Sequence, residues 1–311
     1  MTIKVGFFCI QDLHNFIAPI SDRLKKFSQF DVSEYWIKDF SGIRDKLMSP
    51  DVIWFEWANE VPIMLTDHFS EKLKDKTVIL RIHSYEVLCA LHSKINWQVI
   101  DHVVFVAEHI KTYCNINHPH QSVISNGIDL SEFKFNQKTH GDKIAFLAHL
   151  SSKKGVMLLA HAFAAMPANM QLHIGGAWTD ERERVYFAHA IRELGIQDRV
   201  TYHGNIEHKD TSNFLSDKNY ILVTSPWEAD PVALCEAMAT GCKPLVHKFW
   251  GADTLIPSDY LWFKFDELTQ MVSPDSPFDA FAYRKFVKKY HDINDKVRRI
   301  ADLISYVRSS K

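Results

Sequence analysis

Short apolar, β-rich runs alternate with helical patterns along most of this chain, and no other feature narrows its fold as much. Lys4–Ile10 reads as a buried strand. Pro19–Phe30 reads as a crossover helix with Ile20, Leu24 and Phe27 on one face. Further strands are expected at Val32–Ile37, Asp51–Trp57, Lys76–Ile82 and Val103–Val106, with helices at Ile43–Met48 and Glu108–Cys114. Val123–Ile124 runs into Ser125-Asn126-Gly127-Ile128-Asp129, a turn signal. The polar stretch Asn136–Asp142 has little to bury and is expected to be a linker. The alternation then restarts. Strands are expected at Lys143–Leu147, Met170–Ile174, Val200–His203, Ile221–Thr224 and Pro244–His247. Helices are expected at Val156–Met166, Glu181–Leu194 and Val232–Ala239, with a helical tail from Phe278. Strands separated by helices pair in parallel through right-handed βαβ units. The expectation is therefore an α/β chain of two doubly wound parallel-sheet domains, 1–136 and 143–282. A basic helical tail, 283–311, could pack back on the first domain. Ligands of such sheets bind at the carboxyl ends of the strands, here in a cleft between the domains.

A chain of 311 residues can bury two cores of this kind. Its formal net charge of −2 argues against a nucleic-acid partner. The charge is uneven, because 283–311 carries nine Lys/Arg against three Asp. Such a tail could touch an anionic membrane as a peripheral contact, although a solvated helix face is the simpler reading. The five cysteines (Cys9, Cys89, Cys114, Cys235, Cys242) form no CxxC pair. They suit reduced packing residues in a cytoplasmic protein. The first residues lead directly into a strand without a signal-peptide pattern, and no run of about 18 apolar residues offers a membrane span.

The segment from Ser225 to Pro244 carries the most chemistry. Asp230 is a good N-cap, Pro231 a good first helical residue, and Gly241 a residue able to end the helix in a left-handed conformation. A helix that starts just past a strand's carboxyl end offers its free N–H groups to an anion such as a phosphate. The acceptor-only carboxylate of Glu236 could hold a diol such as ribose. Taken alone, Glu236 reads better as a helix-surface charge and Glu228 as a loop charge.

Glu228 and Glu236, followed by Ala237-Met238-Ala239-Thr240-Gly241-Cys242-Lys243-Pro244, resemble the signature of the retaining GT-B glycosyltransferases of the "group 1" family. Val123–Asp129 is similar to that family's linker motif. Leu150-Ser151-Ser152-Lys153-Lys154-Gly155 resembles its donor-phosphate loop, and Ile174-Gly175-Gly176 its Gly-Gly turn. The resemblance covers most of the chain. It implies two facing Rossmann-like domains and transfer of a hexose, with retention, from a nucleoside-diphosphate sugar. The acceptor would be a glycan or lipid-linked saccharide, in the setting of polysaccharide biosynthesis. Glu236 would hold the donor ribose, Glu228 would sit by the donor sugar, and Lys154 would neutralise the departing diphosphate. His149, Gly204, Ile206, Val232 and Ala233 would complete the donor site. The segment Leu80–Glu86 is similar to one whose histidine faces the reacting sugar, which makes His83 a hydrogen-bond partner there; a satisfied loop histidine is the alternative. Glu56, Trp57, Glu86 and His14 are candidates for the acceptor side, with Trp57 either a stacking face for a sugar or a core residue.

No Asp-x-Asp occurs, so no metal and no cofactor is expected, and neutralisation by a cation and helix N-termini would serve instead. The chain departs from the family pattern at three places. Ala148-His149-Leu150 stands where Gly-Arg usually precedes the leucine, Ala229-Asp230-Pro231 lacks the usual glycine, and Gln11–Phe16 lacks a Gly-Gly loop. These departures keep open a glycosyltransferase-like subunit that binds nucleotide or glycan without catalysis. A nucleotide-sugar epimerase is a minor alternative. A dinucleotide-dependent dehydrogenase is excluded by the lack of GxGxxG after the first strand.

Overall fold

The computed structural model describes residues 2–311, which divide into two units, 2–127 with Ile293–Lys311, and Ile128–Asp292. In the first unit six parallel strands form one sheet: β1 (Ile3–Ile10), β2 (Phe30–Ile37), β3 (Val52–Glu56), β4 (Thr77–Ile82), β5 (His102–Phe105) and β6 (Gln121–Val123). Their order is β2-β1-β3-β4-β5-β6, so the winding reverses between β1 and β3. Every residue of β3, β4 and β5 is buried, as the unbroken apolar runs require of strands covered on both faces. The connecting helices are α1 (Ala18–Leu24), α2 (Ile43–Met48), α3 (Glu60–His68), α4 (Ser70–Leu73), α5 (Tyr85–Leu88) and α6 (Glu108–Cys114). The helix expected over Pro19–Phe30 stops at Leu24, because Phe30 pairs with Ile3 and opens β2. α3 lies in a stretch without a clear hydrophobic period. It is started locally, by the Asn59 side chain accepting from the Val61 N–H.

The second unit repeats the plan with β7 (Lys143–Leu147), β8 (Gln171–Gly175), β9 (Val200–Tyr202), β10 (Tyr220–Val223), β11 (Lys243–His247) and β12 (Leu261–Trp262). All pair in parallel, in the order β12-β11-β10-β7-β8-β9. This is the dinucleotide-fold strand order, with its reversal between β7 and β10. Its helices are α7 (Val156–Ala164), α8 (Glu181–Glu193), α9 (His208–Leu215), α10 (Val232–Ala239), α11 (Phe265–Met271) and α12 (Ala280–Tyr290).

The units divide at Gly127/Ile128, upstream of the stretch read as a linker. Asn136–Asp142 is polar but engaged within the second unit. Asn136 donates to the Ser216 carbonyl, the Lys138 ammonium to the Leu215 carbonyl and Thr240 hydroxyl, and His140 bonds Tyr220 and Ser276. Polarity there marks satisfied hydrogen bonds rather than free chain. The basic tail is likewise two helices. α12 buries Tyr283 and Val287 against Leu234 and Met238 of α10. The last helix, α13 (Ile293–Ser309), buries Ile293, Val297, Ile300, Ala301, Ile304 and Val307 in the first unit's core beside Ile17, Ile20 and Leu24. Arg298 and Arg299 lie on its exposed face. Gly127 leaves room for this return, since a Cβ there would stand 2.6 Å from the Ile293 Cα.

Candidate functional site

The strand reversal in the second unit brings the chain after β7 beside the chain after β10, and the two meet through an ion pair. Lys154 ends a 3-10 turn, Ser152–Lys154, and its Nζ stands 2.7 Å from the Glu228 Oε1. The Ser225 hydroxyl donates to the same oxygen at 2.6 Å. Glu228 is buried, whereas the Lys154 side chain is a third exposed. Two further bonds lock the loops together, as the Thr224 hydroxyl reaches the carbonyls of Lys154 and Gly155 at 3.1 and 3.0 Å. Gly155 is required at this crossing. Its φ of +71° is left-handed, and a Cβ would stand 2.0 Å from the Thr224 carbonyl oxygen. Gly155→Ala should therefore lower stability by about 2–4 kcal/mol, from backbone strain plus displacement of β10's end. A urea melt with an unchanged midpoint would show that this crossing is softer than its geometry implies.

α10 begins at Val232 with Pro231 as its N-cap residue and no side-chain cap. The Asp230 carboxylate, expected as the cap, instead faces His291, with Oδ1 3.6 Å from Nδ1. The proline shifts the helix start by one residue, and the end of α12 supplies a partner the sequence does not reveal. The other end of α10 forms as expected. Cys242 N–H bonds the Ala237 carbonyl and Gly241 N–H the Met238 carbonyl, a Schellman closure with Gly241 at φ +95°.

Glu236 is buried on α10, with Oε1 3.4 Å from the Nε2 of His208 at the start of α9. The hydrogen bond that His208 donates to Glu236 raises the His208 pKa, against partial burial that lowers it. Glu132 stands 3.7 Å from the other ring nitrogen. Val232 and Ala233 are half-buried in the first turn of α10, and His149 is exposed. The Gly204 carbonyl accepts from Gly176, and Ile206 packs over Gly175 where a Cβ would be 2.7 Å from it. Trp227 and Trp250 stack with centroids 5.4 Å apart and planes at 10°. Trp178 packs on Phe187. Thus Lys154 and Glu228 are joined directly, while Glu236 is engaged by a histidine.

In the first unit the candidate residues gather after β3 and β4. Glu56 is fully buried and receives Arg81 at 3.0 Å, His83 Nε2 at 2.7 Å and Trp54 Nε1 at 2.8 Å. Burial pushes its carboxyl up, but Arg81 and the His83 bond outweigh that and hold it below the usual range. Glu86 is also fully buried and accepts from the His83 and Ala58 N–H groups. Burial raises its pKa. Trp57 adopts a left-handed φ of +73° and stacks on His83, 3.6 Å between centroids, while its N–H reaches the Leu13 carbonyl. His14 bonds the Gln11 carbonyl and stacks on Trp36. Glu56 and Glu86 are thus internal groups that fix His83 and the chain around it. Arg81 extends the network to Asn126 at 2.8 Å and the Ile124 carbonyl, which ties down the turn motif read in the sequence.

Sequence reasoning missed Ser225, Thr224, Arg81 and His208. Ser225 and Thr224 flank a recognised motif and a polar strand end could have flagged them. Arg81 is the one charge in the apolar run Thr77–Ile82. His208 lies 28 residues before Glu236, and no local signal links them.

Residues 128–267 match the model of the family Glycosyl transferases group 1. Mannosylfructose-phosphate synthase of Agrobacterium fabrum is 25% identical over 114 residues, 34% of this chain and 25% of that protein. One of the subunits of human phosphatidylinositol N-acetylglucosaminyltransferase is 26% identical over 145 residues, 45% of this chain and 29% of that protein. The matched segments thus span under a third of either relative's length. The structure of Anabaena HepE in complex with UDP and glucose superposes with a TM-score of 0.75 at 16% identity, covering 98% of this chain and 100% of that one. The twin parallel sheets of this chain are those of the GT-B fold, and its residues 128–267 are similar to the Glycosyl transferases group 1 family.

Proposed function

We propose that this protein transfers a hexose from a nucleoside-diphosphate sugar to a glycan or lipid-linked saccharide, with retention of anomeric configuration and without a metal in the reaction. The observation that carries this reading is the Lys154–Glu228 pair at the β7/β10 reversal, within the residues of the family match. The Lys154 ammonium is one of few groups there able to take up charge as diphosphate departs. Glu228 is the carboxylate assigned to the sugar, and the Glu236 carboxylate to the ribose hydroxyls. Retention without a covalent nucleophile follows if the leaving phosphate itself helps deprotonate the acceptor on the face it departs from. His83, held by Glu56 and backed by Trp57, is assigned to the reacting sugar. Glu86 and Glu56 position it rather than touch acceptor. His149, Gly204, Ile206, Val232 and Ala233 are assigned to the donor, and His14 and Trp57 to the acceptor side. No helix among the described residues is long and apolar enough to cross a membrane. A lipid-linked acceptor would then be met at the membrane surface, from the cytoplasmic side.

The test is a panel of nucleoside diphosphates and their sugars, read by melting temperature, with Glu236→Ala alongside. HepE was solved with UDP and with UDP-glucose, so uridine ligands come first. One base family should raise the melting point by several degrees, since a ligand at 100 times its Kd stabilises by about 2.7 kcal/mol. Glu236→Ala should lose most of that rise. Binding without turnover across an acceptor panel would favour the non-catalytic reading, which the loss of the usual arginine at His149 motivates. A product of inverted configuration by NMR would overturn retention.

Donor affinity should also depend on pH. His208 has a raised pKa, so its pairing with Glu236 is complete below the ordinary histidine value and is lost as pH rises through the raised one. Ribose competes with that pairing for the same carboxylate. Affinity should therefore improve as pH increases through this range, and His208→Ala should flatten the profile. An unchanged slope in that variant would remove His208 from the donor site.

A further inference from the structure

Three buried side chains meet where α12 ends against the start of α10. Asp230 comes from the chain before α10, Cys235 from its first turns, and His291 caps α12. One ligand atom of each lies within 4.8 Å of the other two, and Asp230 Oδ1 is 3.6 Å from His291 Nδ1. We propose that Asp230, Cys235 and His291 form a zinc site of three protein ligands with its fourth position left to water, which clamps α12 to the start of α10. The inference stands independently of the donor reading.

The donor set suits zinc. Carboxylate oxygen, imidazole nitrogen and thiolate sulfur are its ordinary ligands. With bond lengths of about 2.0–2.3 Å, tetrahedral geometry puts neighbouring ligand atoms roughly 3.3–3.6 Å apart. The Asp230–His291 pair is already at that spacing, and the thiol needs at most about 1.5 Å of closure, within reach of a side-chain rotation. Charge also balances. The carboxylate and thiolate together carry two negative charges, so a bound dication leaves the buried site neutral, which is the condition for tolerating charges away from water. Binding converts the Cys235 thiol to thiolate and releases one proton, while His291 binds as the neutral imidazole. A water completes the tetrahedron.

The site also has a mechanical meaning. His291 receives its backbone position from both sides, since its N–H bonds Val287 and its carbonyl accepts from Ile128. It is thus the point at which the chain enters and leaves the second unit. A metal there would fix that junction to the segment between Glu228 and α10, and turn the Asp230 carboxylate away from the helix N-terminus.

The test uses the untagged full chain, stripped with a chelator and titrated with cobalt(II) and then zinc. The expected result is one equivalent of tetrahedral cobalt with a thiolate-to-metal charge-transfer band, displaced by zinc, and a zinc-dependent rise in melting temperature. Cys235→Ala should abolish the band, while Cys89→Ser, which alters an exposed thiol, should keep it. Asp230→Asn preserves shape, so it covers the case in which the cysteine variant fails to fold, and should weaken zinc binding by about 100-fold. The wild-type spectrum decides by itself if both variants fail. Cobalt bound without a sulfur band would mean that surface histidines hold the metal, and overturn the proposal. So would no stoichiometric binding, or a band that survives Cys235→Ala.

Discussion

Lys154→Ala will lower kcat by about 100–1,000-fold while leaving the melting temperature nearly unchanged. The large kinetic effect follows from where charge develops. On the proposed reading the departing diphosphate gains negative charge in the transition state, and removal of one group aimed at such charge typically costs about 3–4 kcal/mol of barrier. On that reading His149 stands where the resembling family usually carries arginine, so no permanently charged side chain is expected there. The effect on stability is small because the lysine is a third exposed and the buried Glu228 keeps the Ser225 hydroxyl on the same oxygen. Lys153→Ala is the control, because it changes the same charge one residue away. Steady-state kinetics with the donor found by melting provide the measurement. A kcat within about threefold of wild type would remove Lys154 from the reaction and leave its bond to Glu228 structural.

Arg81→Leu will destabilise the first unit by about 3–5 kcal/mol, because it strands the Glu56 carboxylate in a water-free site. The guanidinium is fully buried and also holds Asn126 and the Ile124 carbonyl, so the turn into the second unit loses its anchor. Arg81→Leu combined with Glu56→Leu should recover part of the loss, since a desolvated pair can be replaced by apolar packing at small cost. The pH dependence has a definite sign. The Glu56 carboxyl is held below its ordinary value, so its contribution is present above the unfolded carboxyl's pKa, about 4.3, and fades as pH falls through the lower folded value. Urea denaturation at neutral and acidic pH should find the gap between wild type and Arg81→Leu narrowing on acidification. A constant gap would mean that Glu56 is neutral in the folded protein.

The fold was legible because strand length and burial leave a period that needs no partner to be read. Lys143–Leu147 and Val232–Ala239 form where the apolar pattern places them, and the Gly241 stop forms through its own backbone preference. Boundaries were harder. Phe30 looks helical by its spacing from Leu24 and Phe27, yet joins β2 because Ile3 offers it a pairing edge. The stretch Asn136–Asp142 looks like a linker because its partners, among them Ser216, Tyr220 and Ser276, are about 80 to 140 residues away in sequence.

The same division runs through the candidate site. The family resemblance singled out Lys154, Glu228 and Glu236 as candidates, because each belongs to a short motif whose spacing survives in one dimension. The sequence also determined the α/β class and the positions of most sheet strands, since both rest on local periodicity, whereas the two-residue β12, Leu261–Trp262, is too short to leave one. Tertiary structure alone decided the partners: that Lys154 meets Glu228, that His208 covers Glu236, that Asp230 turns to His291, and that Glu56 answers Arg81. Each of those contacts joins side chains on different elements, and a charge buried in one place is satisfied by whichever element the packing brings there. Such choices depend on distances in space, which a linear sequence leaves unspecified.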